Sequence, residues 1–83
     1  MYKLYTLDNQ FIEETNVYPK NFTGIIKWFN GVKSCYSDGK YHRIDGPAYI
    51  DATGIQQWWV DDKRVTEEQC NLLHSIMKLK GLI

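Results

Sequence analysis

The sequence predicts an α+β fold: mainly an antiparallel β-sheet of repeated hairpins, in two units of about thirty residues, closed by one C-terminal α-helix over about 66–80. Three observations predict it. Asp-Gly and Asn-Gly pairs, the strongest short hairpin signals, punctuate aromatic and β-branched runs. A gapless offset of thirty aligns Asp8 to Lys33 with Asp38 to Lys63, with Asp8/Asp38, Thr23/Thr53, Gly24/Gly54, Ile25/Ile55, Trp28/Trp58 and Lys33/Lys63 identical. Beyond Thr66 the turns stop and apolar residues take up helical spacing.

Taken in order, the first unit covers about 4–33 and the second about 34–64. In the first, GIIKWF reads as a strand running into an Asn30-Gly31 turn, while FIEETNVYPKNF keeps the period but lacks crisp turns. In the second, VKSCYS, KYHRI, PAYID and GIQQWWV read as strands, with turns at Asp38-Gly39 and Asp45-Gly46. Pro47 stands where a strand opens and a missing N–H does least harm. The helix has both ends specified. Thr66 and Gln69 are in capping-box register, Glu67 and Glu68 meet the positive end of the macrodipole, Lys78 and Lys80 occupy the last turn, and Gly81 follows as a C′ residue. Cys70, Leu73, Ile76 and Met77 are expected to line its packed face.

Eighty-three residues make one domain, 1–83, with one core to build. Three Trp, six Tyr and three Phe supply the bulk for it, since each ring buries roughly 150–250 Å². Ten basic and ten acidic residues cancel, which argues against a non-specific nucleic-acid or membrane binder relying on a concentrated positive field. Neutrality also lowers self-repulsion, so a homodimer is an expected assembly. Two cysteines without dense spacing fit a reducing cytoplasm, and no apolar run reaches the roughly twenty residues of a membrane span.

The string DGKYHRIDGPAYIDATGIQQWWVDDKRVTEEQ resembles the DG-x-x-HR-x-DGPA repeat, followed by a Trp, found in tailed-phage and large-virus proteins and similar to membrane-occupation-and-recognition-nexus repeats. The resemblance covers Asp38 to Gln69, and Asn9 to Gly31 only through the thirty-residue offset. It implies stacked β-hairpins and an accessory protein of a phage or virus working in an infected bacterial cytoplasm. The sequence departs from the pattern at Asp61-Asp62, where a turn Gly is expected, and at Ile12-Glu13, where the first copy lacks a His-Arg pair. Two units plus a helix therefore point to a closed, self-capped domain rather than a long solenoid.

Asp38, Gly39, His42, Arg43, Asp45, Gly46 and Pro47 are read as a structural motif: Arg43 and Asp45, two apart on a strand, share a face and pair. A catalytic reading of His42 needs a nucleophile or paired carboxylate beside it, and none is linked in sequence. Cys35, His42, Cys70 and His74 offer zinc-type ligands, but the step from Cys35 to His42 is wider than the usual gap, so neither a metal nor any other cofactor is expected. Trp28, Phe29, Trp58, Trp59, Tyr41 and Tyr49 are the expected partner-binding residues, because neighbours on a strand face opposite ways and one ring of each pair can stay outside the core. The predicted function is a non-catalytic module that binds a host or viral protein. A single-stranded nucleic-acid binder, stacking bases on aromatics near Lys27, Lys33, Lys40, Arg43 and Lys63, is the alternative, and a small hydrolase or nuclease ranks behind both.

Overall fold

In the computed structural model, which describes all 83 residues, turn chemistry sets the architecture. Eight strands, most of them joined by tight turns, form one antiparallel arrangement: β1 (Tyr2–Tyr5), β2 (Phe11–Thr15), β3 (Gly24–Trp28), β4 (Lys33–Ser37), β5 (Lys40–Tyr41), β6 (Tyr49–Ile50), β7 (Gln56–Val60) and β8 (Lys63–Val65), with longer irregular connections from β2 to β3 and from β5 to β6. Their spatial order is β2-β1-β3-β4-β6-β7-β8, with β5 paired to β4 off that path. A single helix, α1 (Glu67–Leu79), follows and packs against β7.

Three loops share one geometry. In the first, Thr6 N–H donates to the Gln10 carbonyl at 2.8 Å and Asn9 N–H to the Thr6 carbonyl at 2.9 Å, with Asn9 at φ +70°. Trp28 N–H donates to the Val32 carbonyl at 2.8 Å and Gly31 N–H to the Trp28 carbonyl at 3.1 Å, with Gly31 at φ +91°. Asp51 N–H donates to Ile55 and Gly54 N–H to Asp51, both at 3.0 Å, with Gly54 also at φ +91°. All are three-residue hairpin loops whose third residue needs a left-handed backbone. The last two are also followed by matching elements, a strand and a two-residue turn with both φ values positive: Asp38-Gly39 (+51°, +80°) and Asp61-Asp62 (+49°, +65°).

The backbone thus repeats from Gly31 to Gly54 and from Asp38 to Asp61, an interval of 23 residues, and not at the expected thirty. Trp28 ends β3 just before a loop, whereas Trp58 sits inside β7. Gly24 opens β3 and Gly54 closes a loop. The expected boundary between units, at 33/34, falls within β4. Turn chemistry overrides the identities, because a hairpin's register follows from its loop. Asp45-Gly46 is likewise no hairpin turn: it is a bend in which Gly46 keeps an ordinary φ and leaves room for Arg43, whose guanidinium would lie 3.3 Å from an added Cβ.

Alternation along the strands splits the core between the two sheet faces. Leu4, Ile26 and Tyr36 pack on one face, bordered by Tyr2, Phe22, Trp28 and Tyr41. Ile25, Cys35 and Ala48 pack on the other, beside Tyr5 and Trp59. Only nine residues are buried, so each core is thin.

The helix forms where its caps dictate. Gln69 N–H donates to Thr66 Oγ1 at 3.1 Å while Thr66 N–H donates to Gln69 Oε1 at 3.0 Å, closing the capping box. At the other end Gly81, at φ +72°, donates to the Lys78 carbonyl at 3.1 Å and Leu82 to that of Met77 at 2.9 Å, a Schellman ending. The face toward the sheet is Cys70, Leu73, His74 and Met77, spaced i, i+3, i+4, i+7. Ile76, expected in that stripe, is 39% exposed, because it lies with Leu72 and Leu79 on a different side.

Candidate binding surfaces

The residues from Lys40 to Arg43 link the two halves of the sheet. On one side Tyr41 pairs with Tyr36, and His42 N–H donates to the Cys35 carbonyl at 3.1 Å. On the other, Arg43 N–H donates to the Trp59 carbonyl at 3.0 Å, Asp62 N–H to that of Tyr41 at 2.9 Å, and Tyr41 N–H to Asp62 Oδ1 at 2.7 Å. His42 Nδ1 accepts the Asp61 amide proton at 3.2 Å, with Asp61 Oδ1 at the same distance. Arg43 Nε donates to Asp45 Oδ1 at 2.7 Å. This bond holds the Asp45 carboxyl below the usual carboxylate range. Asp38 and Gly39 are tied back to the preceding chain, Asp38 N–H donating to Thr23 Oγ1 and Gly39 N–H to the Phe22 carbonyl, both at 2.9 Å. Pro47 stands two residues before β6.

Arg43 also stands between the two thiols. Its Nη1 lies 3.8 Å from Cys35 Sγ, and its carbonyl accepts from Cys70 Sγ at 3.3 Å. Burial pushes both thiols up, so both are protonated at neutral pH and poor nucleophiles. Cys35, His42, Cys70 and His74 do not gather into a ligand set; no group of three or more His, Cys, Asp or Glu side chains is placed to hold a metal ion. A cleft of about 390 Å³ opens where the end of the helix meets the sheet, lined by Cys35, His42, Arg43, Asp45, His74 and Ile83 among others.

The aromatic residues divide sharply. Trp28 is half-buried, 4.8 Å edge-on from Tyr2, and its Nε1 donates to buried Ser34 Oγ at 3.3 Å. Tyr41 stacks on Tyr36 at 5.0 Å and touches Trp59 and Tyr49 at 5.3 and 6.0 Å. Trp58 is half-buried in β7. The rings are thus mostly engaged with one another. Phe29 differs: it lies in the loop after β3, 84% exposed, and not on a strand.

Two further surfaces stand out, the second joining Lys27 and Lys33, expected from sequence beside aromatics, to Lys3, which was not. The outer side of α1 carries Leu72 (62% exposed), Ile76 and Leu79 (89%) at i, i+4, i+7, with exposed Leu82 and Ile83 beyond. The second is a row of lysines across three strands. Lys3 is directly opposite Lys27, and Lys27 is directly opposite Lys33. The helix stripe was readable as a 4-3 spacing, but the row joins residues far apart in sequence through the β1–β3 pairing. No helix of the chain is long and apolar enough to cross a membrane.

No family model matches the chain, and neither a curated protein nor a solved structure matches it.

Proposed function

We propose that this chain is a small non-catalytic module that binds a partner protein through the outer stripe of α1. The observation that carries the reading is the exposure of Leu72, Ile76 and Leu79 on one side of a helix whose other side is already used against the sheet. A helix docking its apolar stripe in a partner's groove is a recurring recognition mode, anchored at this spacing. Phe29 offers a further apolar contact at a hairpin tip, and the half-buried rings of Trp28, Trp58, Trp59, Tyr41 and Tyr49 stiffen the sheet behind it. Protonated buried thiols and a His42 turned to Asp61 favour binding over catalysis. The resemblance to phage and large-virus repeat proteins adds the setting: an accessory protein in an infected bacterial cytoplasm, acting on a host or viral protein, with inhibition of a host enzyme or a defence system as the consequence.

Crosslinking with mass spectrometry in infected cells tests this, comparing the wild type with a Leu72→Glu/Leu79→Glu variant. Both side chains are exposed, so the variant keeps its fold, which circular dichroism checks. The expected result is one partner captured by the wild type and lost, by tenfold or more, from the variant. Equal recovery from both proteins counts against the helix. A self-crosslink that vanishes in the variant assigns the stripe to a homodimer instead.

A further inference from the structure

Beyond protein binding by the helix, the sheet carries a second surface of different chemistry. Lys3, Lys27 and Lys33 occupy matched register positions on β1, β3 and β4 and therefore project from one face. Strands stand about 4.8 Å apart, so the row spans about 10 Å at the backbone. None of the three forms a salt bridge, the Arg43–Asp45 pair being the one between side chains that are both charged at neutral pH. Lys27 Nζ lies 4.3 Å from the Tyr5 ring, a cation–π contact that leaves its charge uncancelled. Glu14, opposite Lys3 on β2, is the one acidic residue in the concavity of about 600 Å³ that the row lines. Like charges placed directly opposite on a sheet destabilise it, so the fold alone gives no reason for the row.

We infer that this concavity is a binding site for single-stranded nucleic acid, with the lysine row tracking the phosphates and Phe29 stacking a base. A line of ammonium groups suits a linear polyanion better than a compact anion, which would need them to converge. The aromatic neighbours distinguish nucleic acid from an acidic peptide. Phe29 borders the same concavity, 84% exposed, and Tyr5 lines it on the face of the lysines, while the Trp28 ring turns to the opposite face. An exposed ring beside a cationic track is the arrangement that holds unpaired bases, since every base has a face to stack. The zero net charge of the chain limits the attraction to this local field, so binding belongs to low ionic strength.

Fluorescence anisotropy with a labelled oligothymidylate of about twelve nucleotides tests the inference on the full chain. Three phosphate contacts give a slope of log K against log salt of about −2. The Lys3→Gln/Lys27→Gln/Lys33→Gln variant is expected to bring that slope close to zero, whereas Lys78→Gln/Lys80→Gln on the helix leaves it unchanged. Phe29→Ala is expected to weaken binding about tenfold at an unchanged slope, because stacking releases no counterions. Thermal melts of each variant confirm that the fold is retained. Absence of binding at low salt, or a slope indifferent to the three lysines, overturns the site. Equal competition by an oligoglutamate overturns nucleic acid as the ligand and assigns the row to an acidic peptide.

Discussion

At the scale of single residues, Gly24 is the position least able to change. A Cβ there would stand 2.4 Å from the Tyr5 carbonyl oxygen and 2.7 Å from the Phe22 ring, at a φ of +148° that side chains rarely adopt. Gly24→Ala is expected to destabilise the fold by about 2 kcal/mol or more, read as a lower urea midpoint. Gly54→Ala meets nothing within 4 Å and carries only the backbone strain of φ +91°. The Arg43–Asp45 bond makes a second prediction. Because it lowers the Asp45 pKa in the fold, its stabilisation is fully present above the unfolded value near 4 and is lost as pH falls through the folded value. The urea midpoint should therefore drop on acidification below about pH 4, and Asp45→Asn should flatten that dependence. An Asp45→Asn profile as steep as the wild type's would assign the acid sensitivity elsewhere. The Arg43–Asp45 pair was visible in sequence as opposite charges two residues apart, but the strand expected to carry them ends at Tyr41 and the two pair across a bend. Gly46 looked like a turn former in the same string, yet its absent side chain leaves space for the Arg43 guanidinium, a need that no local pattern encodes.

Among the elements, the helix was the most legible, because its ends depend on neighbours in sequence: Thr66 with Gln69, and Gly81 with Lys78. Its packed face was less so. Six apolar residues in sixteen leave two stripes to choose between, and only the sheet decides that His74 faces inward while Ile76 stays out. The strands followed their turns, but β1 and β8 were not anticipated, and the interval of the hairpins is set by loop geometry that identities at thirty residues obscured. The docking of α1 is thin: Cys70 is buried, while Leu73, His74 and Met77 are half-buried. Such an element opens more readily than the sheet it covers. In a native-state labelling experiment with a thiol reagent, Cys70 should react before Cys35, and Thr66→Ala, which removes about 1 kcal/mol of capping, should speed Cys70 about fivefold. Equal labelling rates for the two thiols would mean that undocking and unfolding are one event.

For the whole molecule, surface exceeds what its mass requires. The accessible area is 5674 Å² for 9.8 kDa, against about 5,200 Å² expected of a folded monomer that size. The radius of gyration is 13.0 Å, against about 12 Å for a compact chain of this length. The excess follows from one sheet with a small core on each side, and it leaves apolar area free for the partner proposed above. Those cores nevertheless share their strands, since Ile25 and Ile26 are consecutive on β3. Far-ultraviolet circular dichroism and tryptophan fluorescence should therefore report one melting midpoint, and two separated midpoints would divide the sheet into independent parts. The stretch from Lys40 to Arg43 carries this sharing into the backbone. Cutting the gene there would yield no autonomous half: a fragment ending before Lys40 would strand the Cys35 carbonyl without its donor, and one starting after Arg43 would orphan the Trp59 carbonyl and the Asp62 carboxylate.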